Sequence, residues 1–167
     1  SEMLKSDVFQ LSCGLSEADI LNRRSTRFFD SDGLSKSKLE YFMKLVNVPS
    51  CPISSYNVVL KNNYMKAGVY LENRLIKEGF FTENMIALLV DQSFVKYADV
   101  VTVITSKHFS ANKLIQAGVF AHTLYMETEV GKYGFTGVGA FYDKKLQSFL
   151  GTEDYILYVI AVGKEKK

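Results

Sequence analysis

Residues Leu114 to Asp143 read LIQAGVFAHTLYMETEVGKYGFTGVGAFYD, and this stretch decides the fold. It begins as a long apolar helix, breaks at Gly131 and Gly134, and continues through a glycine-spaced segment with little side-chain bulk. Gly118, Ala121 and Thr128 put small residues along the helix, where another backbone can approach closely. Gly137-Val138-Gly139-Ala140 then offers backbone N–H groups that nothing bulky shields. A buried helix feeding such a segment suits a flat ligand with a polar edge.

Upstream, Ser16-Glu17-Ala18-Asp19 has capping-box spacing and predicts a helix from about Glu17 to Arg24. Asp30 to Gly33 reads as a turn, with Gly33 available for a positive φ. A second helix begins at Ser35, with Leu39, Phe42, Met43 and Val46 forming one apolar stripe. Pro49 and Pro52 stop it, so Asn47 to Ser55 is an irregular connection. Tyr56 to Leu60, Val69 to Leu71 and the weaker Leu75-Ile76 read as strands, and Glu83 to Gln92 as a helix that Tyr97 could extend. Val100 to Ile104 is a β-branched run of the kind buried in a sheet. The long helix runs from Ser110 or Ala111 to near Gly131, Phe135 to Ala140 is a strand or extended segment, and Asp143 to Phe149 is a short helix closed by Gly151. Tyr155 to Val162 is an almost wholly apolar strand, which implies burial on both faces. Helices and strands mix without a strict βαβ rhythm, so the fold class is α+β in a single domain over residues 1–167.

The totals fit that reading. A chain of 167 residues buries roughly two-thirds of its unfolded surface. The net charge of +2 gives no argument for nucleic acid. Cys13 and Cys51 form neither a disulfide framework nor a zinc signature, and a reducing compartment fits them. No apolar run spans a bilayer, and Ser1 to Lys5 lacks a signal-peptide core, so the expectation is a soluble cytoplasmic domain. His108 and His122 have no metal-ligand spacing, and no metal site is expected. His122 reads as a hydrogen-bonded, partly buried helix histidine.

There is no P-loop, no nucleophile elbow and no complete dinucleotide fingerprint. Arg23-Arg24-Ser25-Thr26-Arg27 is more informative, because guanidinium forks and a hydroxyl suit phosphate oxygens. The competing reading makes these arginines solvated cations complementing a helix C-terminus, or a contact for another polyanion such as RNA.

The order of motifs along the chain favours the phosphate. Arg23-Arg24-Ser25-Thr26-Arg27-Phe28-Phe29-Asp30, followed by Leu34-Ser35 and the Leu39 helix, resembles the opening of the FMN-dependent nitroreductase family. Pro49-Ser50 resembles its Pro-Ser loop. Gln116-Ala117-Gly118 and Gly134 to Phe141 resemble its central helix and flavin-edge strand, and Tyr155 to Gly163 its closing strand. Gly68-Val69-Tyr70 and Ala117-Gly118 look most like the azoline (thiazole/oxazole) dehydrogenase branch.

The resemblance implies a central, mostly antiparallel sheet flanked by helices, in a homodimer with the flavin at the interface. It implies that Arg23, Arg24 and Ser25 contact the FMN phosphate and ribityl end, and Arg27 the pyrimidine edge. Pro49, Ser50 and Cys51 would touch the flavin from the second subunit. Gly137, Val138, Gly139 and Ala140 would line its N5/O4 edge, with the N–H groups of Gly139 and Ala140 facing it. Lys164 or Lys166 would reach the phosphate, unless the tail is frayed. The implied activity is hydride transfer from NADH or NADPH to a small electron-poor acceptor such as a nitroaromatic or quinone. Azoline formation on a peptide, or a non-catalytic flavin-binding or scaffold role, are the alternatives. Three departures from the family pattern motivate them. The loop after Pro49 is short, Ser106-Lys107-His108-Phe109-Ser110 keeps a lysine but lacks the tyrosine of the azoline branch, and the long C-terminal arm of many members is missing.

Overall fold

Seven consecutive residues, VVTVITS, form the strand at the middle of the sheet, and all seven are buried. A strand covered on both faces has no position for a solvated side chain, which is why valine, isoleucine and threonine fill it. The computed structural model describes residues 28–47, 53–90 and 92–166. In chain order these form α1 (Lys36–Val46), β1 (Ser54–Val59), β2 (Gly68–Leu71), β3 (Arg74–Glu78) and α2 (Thr82–Leu88). A 3-10 turn (Ser93–Tyr97), β4 (Val100–Ser106), α3 (Ala111–Gly131), β5 (Gly134–Gly137), α4 (Asp143–Leu150) and β6 (Tyr155–Gly163) follow. The strands lie in the order β3-β2-β1-β4-β6-β5, each pairing antiparallel.

Alternate strand residues feed two cores, one on each face. Val59, Val100, Ile104, Ile160 and Val162 meet Leu39 and Phe42 of α1 and Phe120 and Leu124 of α3. Val58, Val101, Val103, Val159 and Ala161 meet Met85, Leu89, Val95, Leu146 and Leu150 on the other side. The cross-strand pair Asn57–Thr102 is polar yet fully buried. It survives there because the Thr102 hydroxyl donates to Asn57 Oδ1 at 2.7 Å.

The expected stripe of α1 is its buried face: Leu39, Phe42, Met43 and Val46, behind an N-cap at Ser35. The helix ends at Val46, where Asn47 Nδ2 donates to the Met43 carbonyl at 2.6 Å, ahead of the prolines. Four expectations need correction. The helix expected over Glu83 to Gln92 stops at Leu88, whose carbonyl accepts from the Tyr142 N–H, and Val90 takes a left-handed φ of 55°. Tyr97 belongs to the separate 3-10 turn. Sheet pairing of the Phe135 to Ala140 segment ends at Gly137, apart from one further bond from Val138 N–H to the Val159 carbonyl. On β6, Tyr155 and Tyr158 break the two-sided burial.

Two glycines differ in what they do. Gly68 has φ +153°, and a Cβ there would lie 2.3 Å from the Lys77 carbonyl oxygen on the paired strand β3. Gly118, inside α3, has nothing within 4 Å of an added Cβ. Glycine lowers helix stability relative to alanine, so nothing in this fold rewards it at 118. Asp99, just before β4, is only 1% exposed. The Leu34 N–H lies 3.2 Å from each of its oxygens and Asn62 Nδ2 donates to Oδ2 at 2.6 Å, which joins the turn before α1 to the sheet. Burial raises the Asp99 pKa, opposed by those two hydrogen bonds.

Urea unfolding should separate the glycines: Gly68→Ala loses about 2 kcal/mol or more through clash and strain, whereas Gly118→Ala gains about 1 kcal/mol. Equal effects would contradict their assignments. The raised Asp99 pKa means that the folded state binds this proton more tightly than the unfolded chain does. Its contribution is fully present below the unfolded value of 3.8 and is lost as pH rises through the higher folded value. The stability of the wild type relative to Asp99→Asn, followed by urea titration at stepped pH, should therefore fall across that window. A pH-independent difference would show that Asp99 titrates normally.

Candidate functional site

Among the described residues β5 is an edge strand, paired only with β6. Its two ends carry different chemistry. At the first, Gly134 pairs with Gly163, and Phe29 packs over both, close enough that a Cβ on either would lie about 3 Å from its ring. Phe29 is held there by a bridge to Glu165: Asp30 N–H donates to the Lys164 carbonyl at 2.8 Å and Lys166 N–H to the Phe28 carbonyl at 3.1 Å. The C-terminal segment is thus tied down through Lys166 rather than frayed. Lys164 Nζ stands 3.8 Å from Asp32 Oδ2 in an exposed ion pair. This bridge fixes the chain immediately after Arg27.

At the second end, one of the four N–H groups expected to be open, that of Val138, is taken up by the sheet. Gly137 is paired in register with Ile160, and Val138 is buried with its N–H on the Val159 carbonyl. Gly139 and Ala140 are exposed, and among the described residues their N–H groups have no hydrogen-bond partner. A Cβ added at Gly139 would meet nothing within 4 Å, so the backbone there is open to a close approach. The Ala140 carbonyl accepts from Gln92 Nε2 at 3.1 Å, which steadies the segment. Five residues separate Gly134 from Gly139, roughly 16 Å of extended chain.

Beside this edge, a cleft of about 290 Å³ opens between α3 and the β5–β6 pair. Gly118, Ala121, His122 and Tyr125 of α3 face it, with Phe135 and Gly137 of β5 and Tyr158 of β6. The positions 118, 121, 122 and 125 recur at helical spacing, so one face of α3 supplies that wall. The Tyr125 and Phe135 rings pack with centroids 4.8 Å apart. A Cβ at Gly137 would come within 2.9 Å of the Tyr158 hydroxyl, which lies across the strand end. His122 is exposed, not partly buried as expected, and has no hydrogen-bond partner among the described residues. Neither His122 nor Tyr158 was singled out as a site residue from sequence. Their signals were the four-residue step from Gly118 to His122 and a hydroxyl within an apolar strand.

Arg23, Arg24, Ser25, Arg27, Pro49, Ser50 and Cys51, with Cys13 and the predicted helix from Glu17 to Arg24, lie outside the described residues. Among the described residues no group of three or more His, Cys, Asp or Glu side chains could hold a metal ion. No described helix is long and apolar enough to cross a membrane.

Comparison with solved structures shows the same architecture elsewhere. The chain is similar to a protein of Anabaena variabilis described as a nitroreductase, with a TM-score of 0.75 and 19% identity, covering 90% of this chain and 38% of that one. It is similar to an oxidoreductase described as containing FMN, at a TM-score of 0.68 and 18% identity, covering 95% and 81%. Nitroreductase A of Vibrio parahaemolyticus follows at 0.67 and 15%, covering 90% and 67%. At these identities the likeness is one of fold, and the chain spans about two-fifths of the first protein's length. A search of curated proteins gave no match. The Nitroreductase family matches residues 20–164, nearly the whole chain, and the protein belongs to that family.

Proposed function

We propose that the protein is an FMN-dependent oxidoreductase of the cytoplasm. It would use NADH or NADPH to reduce a small electron-poor acceptor, nitroaromatic or quinone-like, as a homodimer with the flavin at the interface. The observation that carries the reading is the layout of the β5 edge. The chain leaving Arg27 and Lys164 stands at one end, and two open N–H groups stand at the other. That layout fits an elongated ligand with an anionic tail and a flat polar-edged head.

When bound, FMN supplies a two-electron carrier that takes hydride from a nicotinamide and yields it to an acceptor. The chain's own residues bind and orient. Arg23, Arg24 and Ser25 hold the phosphate and ribityl end through charge-assisted hydrogen bonds, and Lys164 adds a cation there. Arg27 faces the pyrimidine edge, where positive charge favours the reduced anionic ring. Gly139 and Ala140 donate N–H groups to the ring's N5/O4 edge, while Gly137 and Val138 set their position through the sheet and the core. Pro49, Ser50 and Cys51 of the second subunit cover the flavin.

The azoline-forming variant uses the same flavin with a peptide as the reductant, and Gly68-Val69-Tyr70, which form the start of β2, are the residues that favour it. A non-catalytic flavin-binding or scaffold role would keep binding without turnover.

Titration of the purified protein with FMN, read by visible absorbance and fluorescence quenching, tests the reading. The expected result is saturable binding at one site per chain, weakened at least tenfold in Arg24→Ala, about 1.4 kcal/mol. A protein that stays flavin-free throughout the titration would overturn it.

A further inference from the structure

We infer that a separate cleft, bounded by α1, the β1–β2 loop and the β2–β3 turn, binds a medium-chain aliphatic carboxylate. Its chain would lie on Leu39, Met43 and Met65, and its head between Lys44 and Asn73. The cleft holds about 330 Å³, inside the range of small-molecule sites, roughly 300–1,000 Å³. Residues 39, 40, 43 and 44 recur at helical spacing, so one face of α1 forms one wall. Tyr64 and Met65 of the loop are anchored on both sides. Tyr64 N–H donates to Asn62 Oδ1 at 2.7 Å, and Asn62 Nδ2 donates in turn to the buried Asp99. Beyond Met65, the Lys66 carbonyl accepts from the Tyr70 hydroxyl at 2.7 Å, and Lys66 Nζ pairs with Glu78 at 3.2 Å. Between these anchors Met65 packs against the core that contains Leu39 and Met43.

The chemistry of the lining sets the class of ligand. Two unbranched thioethers and a leucine form an apolar, adaptable floor that suits an unbranched chain. Tyr64 is the single ring among the described lining residues, so a flat aromatic ligand would find only one stacking face. The charges at the rim are unequal. Glu40 has a counter-ion, Lys36 Nζ at 4.0 Å, one helical turn away. The Lys44 ammonium has no acidic partner among the described residues. Asn73 Oδ1 accepts from Asn47 Nδ2 at 2.8 Å, which leaves the Asn73 amide N–H groups as donors. A carboxylate oxygen accepts from an ammonium and from a carboxamide alike. Lys44 and Asn73 are exposed whereas Leu39 and Met43 are buried, so the head would stay at the wet mouth and the chain point inward. Nothing in this site depends on a bound flavin.

The chain has five methionines, so methyl-labelled methionine NMR reads the cleft through Met43 and Met65, with Met85 in the opposite core as a control. Protein with and without added FMN should be titrated with hexanoate, octanoate, octanol and octylammonium. Octanoate should shift Met43 and Met65 saturably and leave Met85 in place. Its affinity should exceed that of hexanoate by about fourfold per added methylene, about 0.8 kcal/mol each. Octylammonium, with the same chain and the opposite charge, should bind at least tenfold more weakly. Lys44→Met, at an exposed position, should weaken octanoate about fivefold and leave octanol unchanged. Asn73→Asp keeps the acceptor for Asn47 and tolerates the left-handed φ of 64°, and should weaken octanoate by at least as much. The inference falls if octanoate leaves Met43 and Met65 unmoved, if octylammonium binds as tightly, or if Lys44→Met binds octanoate as the wild type does. It also falls if octanoate displaces FMN, which makes it a competitor at the flavin site, or splits a dimer into monomers, which makes the cleft a contact between copies. If FMN does not bind but octanoate still shifts Met43 and Met65, the carboxylate site stands and the flavin reading fails.

Discussion

β4 must be buried on both faces and paired on both edges, and most of the rest of the fold follows from that constraint. Its β-branched residues have no solvent-facing side, so helices must cover each face of the sheet: α1 and α3 on one, α2, the 3-10 turn and α4 on the other. Unpaired backbone groups in such a strand would be costly, and β1 and β6 pair with it along its length. Among the described residues the sheet then grows outward from this centre until it reaches β3 on one side and β5 on the other, where pairing stops. The proposed flavin site lies at the second of these edges. An edge strand leaves backbone donors available, and β5 follows directly from α3, whose exposed face and small residues keep the space beside it open.

The two ends of β5 are built by different means. At the Gly134 end, Phe29 lies across Gly134 and Gly163, and the Phe29–Glu165 bridge ties the start of the described chain to its end. Asp99 supports the same corner, accepting from Leu34 and Asn62 while buried against Gly33 and Gly163. At the other end, Gln92 steadies the Ala140 carbonyl and leaves the Gly139 and Ala140 N–H groups outward. The result is an edge with the Lys164–Asp32 ion pair at one end and open donors at the other. Preorganised donors of this kind stabilise a developing charge without reorganising as it forms.

Much of this was legible in the sequence because single-residue chemistry decided it. The stripe of Leu39, Phe42, Met43 and Val46 predicted the buried face of α1, Ser110 and Gly131 marked the bounds of α3, Gly33 took the positive φ open to it, and Gly151 closes α4 as expected. What could not be read depended on partners distant in sequence. The end of α2 is set by Tyr142, more than fifty residues downstream of Leu88. The exposure of Tyr155 and Tyr158 in an apolar run depends on which part of β6 its neighbours leave uncovered. His122 looked like an ordinary helix histidine, because nothing in its own segment says that a cleft opens beside it. For the tail, local sequence suggested fraying, but the bridge to Phe28 and Asp30 holds it.

The central claim is that the β5 edge holds a flavin that exchanges hydride with a nicotinamide. Its most direct test is anaerobic rapid mixing of the FMN-loaded protein with NADH, and separately with NADPH, following the flavin absorbance. The account predicts loss of the oxidised-flavin band with at least one nicotinamide, and its return when a quinone is then added. A bound flavin that neither nicotinamide bleaches would contradict it.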